Sequence, residues 1–289
     1  MSSAPTALVT GASTGIGLAC AERLARLGYR VYAGVRSDAD GDRLRGIGSG
    51  RIIPVRLDVT DGGQIRSVLA EIQSATGDSG LALLVNNAGI ARAGPLEFLP
   101  LDDFRKVHEV NVVGLLAVTQ AFLPMLRTAR GRIVNIGSIS GRVANPFVGA
   151  YAASKHAVEA LSDSLRVEVA EWGVEVIVIE PGVIQTPIWS KSDAEAVALE
   201  ANLPPEANVL YGRTMEAMRR ILLPAVAKAS PPEAVAEAVE HAALSPDPRT
   251  RYVVGKQAWW RLKLGTVLPD RMHDRMVLGV IRRFKERVR

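Results

Sequence analysis

A short apolar run, Thr6-Ala-Leu-Val-Thr10, passes directly into Gly11-Ala-Ser-Thr-Gly15-Ile16-Gly17, and an apolar-periodic stretch through Leu18, Ala21, Leu24, Ala25 and Leu27 follows without a break. A strand, a glycine turn and a helix in that order restrict the chain to few folds. Gly11 permits the tight turn, and Gly15 lets phosphate oxygens approach the backbone. The helix N-terminus then offers free N–H groups at the positive end of its dipole. Ser13 and Thr14 add hydroxyl donors. The spacing is G-x-x-x-G-x-G rather than the commoner G-x-G-x-x-G. It is the flanking strand and helix that make this a dinucleotide site rather than a flexible surface turn.

The same alternation runs through the chain. Strand-like runs recur at 6–10, 30–35, 51–57, 81–85, 131–137, 174–180 and 251–254, separated by helical stretches near 16–28, 62–76, 102–129, 150–171 and 232–244. This predicts an α/β fold, a Rossmann-type doubly wound parallel sheet of about seven strands with helices on both faces. The whole of 1–289 reads as one such domain, 48% apolar and 22% charged, with enough apolar residues for a large core. Pro124 falls inside the fourth helical stretch and is expected to kink or interrupt it. Between Pro187 and Pro231 the chain is rich in Ala, Glu and Met, is broken by Pro204-Pro205 and lacks strand signals, which predicts an insertion of one or two helices over about 187–231. A basic extension over about 258–289 follows, with helical spacing at Met272, Met276, Val280 and Phe284.

Tyr151 and Lys155 stand four residues apart, on one face of a helix and one turn apart. A free tyrosine titrates near about 10, and an adjacent ammonium lowers that value. Ser138, after the apolar run Arg132–Ile136, sits where a buried strand ends and can hydrogen-bond a substrate oxygen. Together the three make an acid–base device for an alcohol or a carbonyl. Asn111 interrupts the apolar Val110-Asn111-Val112-Val113; a mid-helix asparagine in that setting needs a specific partner.

Thr10-Gly11-x-x-x-Gly15-Ile16-Gly17, Asn86-Asn87-Ala88-Gly89, Asn111, Ser138, Tyr151-x-x-x-Lys155 and Pro181-Gly182 follow one another over roughly residues 5–190. This ordered set resembles the short-chain dehydrogenase/reductase family. Tyr32–Arg36 and Glu180–Trp189 resemble its retinol and 17β-hydroxysteroid dehydrogenase-like group. The resemblance implies hydride transfer between a nicotinamide and a carbonyl or alcohol. In it Ser138 holds the oxygen, Tyr151 moves the proton, and Lys155 lowers the tyrosine pKa and grips the nicotinamide ribose. Asn111 bends its helix so that a carbonyl binds a relay water. It also implies cofactor contacts from Gly11, Ser13, Thr14, Gly15, Ile16 and Gly17, from Asp58 and Val59 at the adenine, and from Asn87, Ala88 and Gly89. Tyr151, Lys155, Pro181, Gly182, Val183 and Thr186 complete the set on the nicotinamide side. The 187–231 insertion would fold over the substrate.

Cofactor choice follows from charge. NAD-binding sheets of this kind usually carry an acid at the end of the second strand, for the ribose hydroxyls. Here apolar Val35 stands there and Arg36 follows, a guanidinium suited to a 2′-phosphate, so NADP(H) is favoured over NAD(H). Asp38 and Asp40 are the competing acids. Asp58 reads either as an adenine contact or as a helix N-cap, and Thr60 and Asp61 fit the cap better.

The lone Cys20 excludes an intramolecular disulfide and reads as a packing residue. The four histidines have no metal-ligand spacing, so no metal is expected. With no secretory leader pattern and no run of 18 apolar residues, a cytoplasmic protein is expected. Residues 261–289 carry nine Lys or Arg against three acids, so the net charge of +5 leaves the remainder near neutral. That locality argues against nucleic acid as a partner. The apolar stripe of this segment, with Arg282, Arg283, Lys285, Arg287 and Arg289, fits a helix docked on its own domain or on a neighbouring copy in a homo-oligomer, which is the favoured reading; peripheral contact with an anionic membrane is the alternative. Val143, Phe147, Val148, Ile188, Trp189, Leu199, Met215 and Met218 would suit a lipophilic steroid-, retinoid- or long-chain-like substrate, although a lid needs such residues simply to pack. A 3-oxoacyl thioester reductase and a non-catalytic NADP-binding sensor or scaffold are the alternatives.

Overall fold

The strand-like runs carry apolar residues at consecutive positions, which suits strands covered on both faces. The computed structural model, which describes residues 4–47, 50–186 and 203–286, has that arrangement. Strands β1 (Thr6–Val9), β2 (Arg30–Val35), β3 (Ile52–Arg56), β4 (Leu83–Asn86), β5 (Arg132–Ile136), β6 (Glu175–Pro181) and β7 (Arg251–Val254) form one parallel sheet in the order β3-β2-β1-β4-β5-β6-β7. The helices are α1 (Gly15–Arg26), α2 (Asp38–Arg45), α3 (Gly62–Thr76), α4 (Leu101–His108), α5 (Leu115–Ala129), α6 (Gly149–Glu168), α7 (Pro205–Ala227), α8 (Glu233–Leu244), α9 (Ala258–Val267) and α10 (Asp270–Lys285).

Register keeps like faces together: Ala7 lies opposite Val31 and Leu83, and Val134 opposite Val85 and Ile177. These residues belong to a core that includes Leu24 of α1 and Val235 and Val239 of α8. Leu8, Tyr32, Leu84, Ile133 and Val176 face the other way, into a core with Ile65 and Val68 of α3 and Phe122 and Leu126 of α5. Each large side chain buried in this way contributes about 1.5–3 kcal/mol. The order of the strands reverses beside β1, where β4 rather than β3 is its second neighbour. In an open parallel sheet the crevice beyond the strand C-termini at that reversal is the ligand site.

Two expectations change. The fourth helical stretch is not one α-helix broken at Pro124. α5 runs through Pro124, and the irregularity lies earlier, as a π-helical turn at Glu109–Gly114 between α4 and α5. Gln120, whose carbonyl loses its helical donor to Pro124, is exposed. A Cβ on Gly114 would stand 2.7 Å from Val59 Cγ2, so the π turn is also where the helix presses on the loop after β3. Leu101–Ala129 is long and apolar enough to cross a membrane by length and composition, but Val118, Phe122, Met125 and Leu126 bury one face of it in the core. The polar stretch of α2 gave no helical signal in the sequence; Ser37 caps it, its hydroxyl accepting from the Asp40 amide at 3.2 Å. Of the lid insertion, α7 is described, starting at Pro205 as its first residue; 187–202 lie outside the described residues, as do the expected lining residues Ile188, Trp189 and Leu199. The C-terminal extension is two helices, separated at Leu268-Pro269.

Candidate active site

The C-terminal ends of β1, β4, β5 and β6 meet on one edge of the sheet and bring four motif segments together. Gly11 and Gly15 both have left-handed φ, +63° and +58°. A Cβ on Gly11 would lie 2.9 Å from Ala88 Cα, and one on Gly17 would collide with the Gly11 carbonyl. The turn is therefore pressed against the β4 loop, and only glycine fits. Thr10 holds the two together: its hydroxyl accepts from the Asn87 and Ala88 amides at 2.9 and 3.0 Å. The Asn87 side chain donates to the Thr10 and Gly11 carbonyls, both at 3.0 Å. Asn87 thus shapes the turn, and Thr10 is a positioning residue that its place inside the motif made visible. Thr14 caps α1 without a side-chain bond, and the first turn of α1 holds no acid. Its amides are left for an anion, which fits a dinucleotide pyrophosphate.

At the outer end of the crevice, Arg36 is exposed just beyond β2 and has no ion pair among the described residues. The competing acids are engaged elsewhere. Asp38 pairs with Arg56 at 3.2 Å, and Asp40 accepts from Ser37 Oγ at 2.7 Å and from Arg43 at 3.1 Å. Arg43, which the sequence reading missed, also donates to the Ser13 carbonyl and so ties α2 to the glycine turn. Asp61, not Asp58, caps α3, accepting from the Gly63 and Gln64 amides at 2.8 and 3.1 Å; those amides hold its carboxyl below the usual range. Asp58 accepts from the Thr60 amide and hydroxyl at 3.0 and 2.8 Å. It lines an open cleft of about 390 Å³ with Arg36, Thr60, Arg105, Lys106, Glu109 and Val110. Val59 packs on Gly114 beside it.

Asn111 lies in the π turn and is fully paired. It exchanges hydrogen bonds with the Ile90 amide and carbonyl at 2.8 and 2.9 Å, and its amide also donates to Ser154 Oγ at 3.0 Å. It ties α4–α5, the loop after Gly89 and α6 into one unit. Ser138 is buried; its hydroxyl accepts from the Ser140 amide at 3.1 Å and hydrogen-bonds Tyr151. Lys155 Nζ donates to the Ile136 carbonyl at 2.7 Å and lies 5.7 Å from the centroid of the Tyr151 ring. Burial lowers its pKa to about 8, with Glu159 acting in the opposite sense. The expected lowering of the tyrosine pKa by Lys155 is not found in this arrangement. Burial raises the phenol and its bond to Ser138 opposes that, while the ammonium is held against a backbone carbonyl. Cys20 is buried in α1, and burial pushes its thiol up to about 12, as befits a packing residue.

On the remaining side, Gly182 is closed in by α9: a Cβ there would stand 3.0 Å from Ala258 Cβ, and its amide donates to the Val254 carbonyl at 2.8 Å. Val183 and Gln185 bond the backbone of Ser230, which fastens the far end of the lid insertion to this loop beside Thr186. Phe147 holds a left-handed φ of +67°, a strained conformation for an aromatic residue. Its ring and that of Phe98 meet Tyr211 of α7 edge-on at 6.2 and 6.0 Å. Phe98 and Tyr211 escaped the sequence reading, since isolated aromatics in a loop and a helix give no periodic signal.

Residues 5–196 match the family model for short chain dehydrogenases, and the chain belongs to that family. Mouse retinol dehydrogenase 5 is 36% identical to it over 95% of this chain and 88% of its own. A protein of Ornithobacterium rhinotracheale, an NADPH-dependent 3-dehydrocapnine reductase, is 34% identical over 93% and 95%. A short chain dehydrogenase from Burkholderia cenocepacia J2315, solved in complex with NADP, superposes with a TM-score of 0.71 and 28% identity, covering 94% of this chain and 97% of its own. The protein is an NAD(P)-dependent oxidoreductase acting on alcohol and carbonyl groups.

Proposed function

We propose that the enzyme uses NADP(H) and acts on a bulky lipophilic alcohol or ketone. The observation that carries the cofactor reading is Arg36, without an ion pair among the described residues, beside two acids that pair elsewhere. The glycine turn, Asp58, the Asn87–Gly89 loop, and Pro181 to Thr186 would hold the cofactor, which when bound supplies or accepts the hydride. Ser138 and Tyr151 would act on one substrate oxygen, the serine holding it and the phenol giving or taking its proton. Lys155 keeps an ammonium one helical turn away, and Asn111 fixes the helix behind both. The lipophilic preference rests on the Phe98–Phe147–Tyr211 cluster and on half-buried Val143, Met215 and Met218 around the substrate side. The test follows NADPH and NADH oxidation in parallel over retinal, ketosteroids, aldehydes and 3-oxoacyl thioesters. Ketosteroid or retinal turnover with NADPH is expected. A preference for thioesters overturns the substrate reading, and a preference for NADH overturns the cofactor reading.

A second observation favours collection of that substrate from a membrane. Of α9 only Ala258 is buried, while Trp259 and Trp260 are 50% and 63% exposed, with Lys263 over the Trp259 ring at 4.8 Å. A Cβ on Gly265 of this helix would collide with Val143, so the helix that carries the exposed tryptophans packs against the substrate loop through another face. Exposed Met272, Met276 and Val280 of α10, with Arg275 and Arg283, extend the same chemistry: aromatic and apolar residues beside cations, as on an anionic lipid surface. Flotation with phosphatidylglycerol vesicles, with and without residues 270–289, tests this. Equal flotation of the two overturns it, as does a concentration-dependent dimer that leaves vesicles unbound.

A further inference from the structure

The first helix of the C-terminal extension touches two loops of the active site at once. Ala258, Leu262 and Gly265 share one face of α9 by helical spacing; the first is buried and the other two are half-buried. At the start of the helix Ala258 stands against Gly182, in the loop after β6, and its amide donates to the Gly255 carbonyl at 3.2 Å. Two helical turns and about 10 Å further on, Gly265 meets Val143, in the loop between Ser138 and Tyr151. Between these points Arg261 Nη2 donates to Asn145 Oδ1 at 3.4 Å. The helix is thus fixed at its start beside the sheet and leans on the serine loop near its end.

The contact at Gly265 leaves no slack. A Cβ there would collide with Val143 Cγ2 and stand 2.7 and 3.1 Å from its Cγ1 and Cβ. Valine has two methyl groups for three staggered positions, so rotation about χ1 leaves one of them in the way. The loop is also closed in from behind. A Cβ on Gly141 would stand 2.8 Å from the Lys155 carbonyl, so the serine turn is pressed on α6. The Val143 and Gly141 amides donate to the Ile139 and Ser138 carbonyls at 3.0 and 2.8 Å, which ties Val143 to Ser138 through the turn. Glycine is unfavourable inside a helix, and here close packing accounts for it. Gly279 of α10 is a contrast, since a Cβ there meets nothing within 4 Å.

We propose that Gly265 determines substrate size: by making room for Val143 it sets how far the serine loop stands back from the substrate. A side chain at 265 drives Val143 and its loop into the crevice, and the larger carbonyl compounds lose their place first. Gly265 acts through Val143 and is a positioning residue. The inference rests on Val143 bordering the substrate, as proposed above. A docking contact that only holds α9 to the domain is the rival.

The test is kcat and KM, with melting curves, for wild type, Gly265→Ala, Val143→Ala, the double variant and Gly279→Ala. Each is assayed on the best substrate of the panel above and on a truncated analogue, for instance a ketosteroid beside cyclohexanone. Gly265→Ala should lower kcat/KM for the large substrate by about 10-fold or more, as for one methyl group too many in a pocket, and for the small one far less. Val143→Ala removes the methyl groups that collide, so the double variant should recover the large substrate. Gly279→Ala controls for helix propensity and should match wild type. An equal loss on both substrates, no loss, or a loss that Val143→Ala does not relieve overturns the proposal. If Gly265→Ala does not fold, Val143→Ala alone decides: it must shift preference towards the larger substrate, and an unchanged preference overturns the proposal. If 3-oxoacyl thioesters prove the best substrates, the lipophilic ketone reading falls by itself. The same five proteins are then compared on long and short acyl chains, and the fate of Gly265 is decided there.

Discussion

The floor of the site and its outer wall are built in opposite ways. On the floor, the Thr10 hydroxyl, the Asn87 amide and the Asn111 side chain each make several bonds to backbone or buried groups, and glycines stand where a Cβ would strike backbone. On the wall, α9 buries a single alanine and α7 leaves Val209, Leu210 and Leu223 exposed. The difference follows from what each must do. Proton and hydride transfer need reacting groups held to a fraction of an ångström, and paired polar networks in close-packed surroundings provide that. A lipophilic substrate needs an apolar surface that can yield, and few bonds there have to be kept.

Changes on the floor should therefore act on turnover or stability, and changes on the wall on substrate delivery. Tyr151→Phe is the strongest test: turnover should fall on the order of 10²–10⁴-fold, with fluorescence titration of NADPH unchanged. Arg36→Ala should next weaken NADPH relative to NADH by roughly 10-fold or more, as for a lost charge-assisted hydrogen bond. An unchanged ratio of kcat/KM for the two cofactors would move the phosphate contact elsewhere. Asn111→Ala leaves the Ile90 amide and carbonyl unpaired, and urea unfolding should show a loss of about 1–3 kcal/mol. If stability is intact, the π turn does not depend on that side chain.

pH offers a subtler contrast. Because Glu159 has a raised pKa when folded, the native state keeps a proton that the unfolded chain has lost, so stability should fall as pH rises from the ordinary carboxylate range through about 7. Lys155, lowered to about 8, has the converse effect only at higher pH, where stability recovers towards the ordinary lysine value. Melting temperatures of wild type and Glu159→Gln across that range should diverge, the variant being flatter. The smallest effect on folding is expected on the wall. Trp259→Ala with Trp260→Ala should alter stability by no more than about 0.5 kcal/mol while abolishing vesicle flotation.

Much of the floor was legible because its parts are local. The glycine turn, Tyr151 with Lys155, and the run before Ser138 each carry their meaning within a few residues, and strand–helix alternation places them on one edge of a parallel sheet. Pro124 misled because a proline's effect depends on whether the carbonyl it strands is exposed; the true irregularity, at Glu109–Gly114, depends on Asn111 finding Ile90 across the fold. The tyrosine–lysine tuning misled for a related reason. Spacing puts the two on one face, but the rotamer of Lys155 answers to the Ile136 carbonyl.

The amino-acid sequence by itself determined the sheet, the reacting groups and the absence of an acid at the end of β2, because periodicity, glycine and charge act over short spans of chain. Only the tertiary structure decided which charges remain free. Arg36 has no ion pair among the described residues, with Asp38 turned to Arg56 and Asp40 to Ser37 and Arg43, and Glu159 keeps one buried oxygen without a hydrogen-bond partner beside Gly137. Pairing is settled by distances between segments far apart in the chain, and no local pattern encodes them.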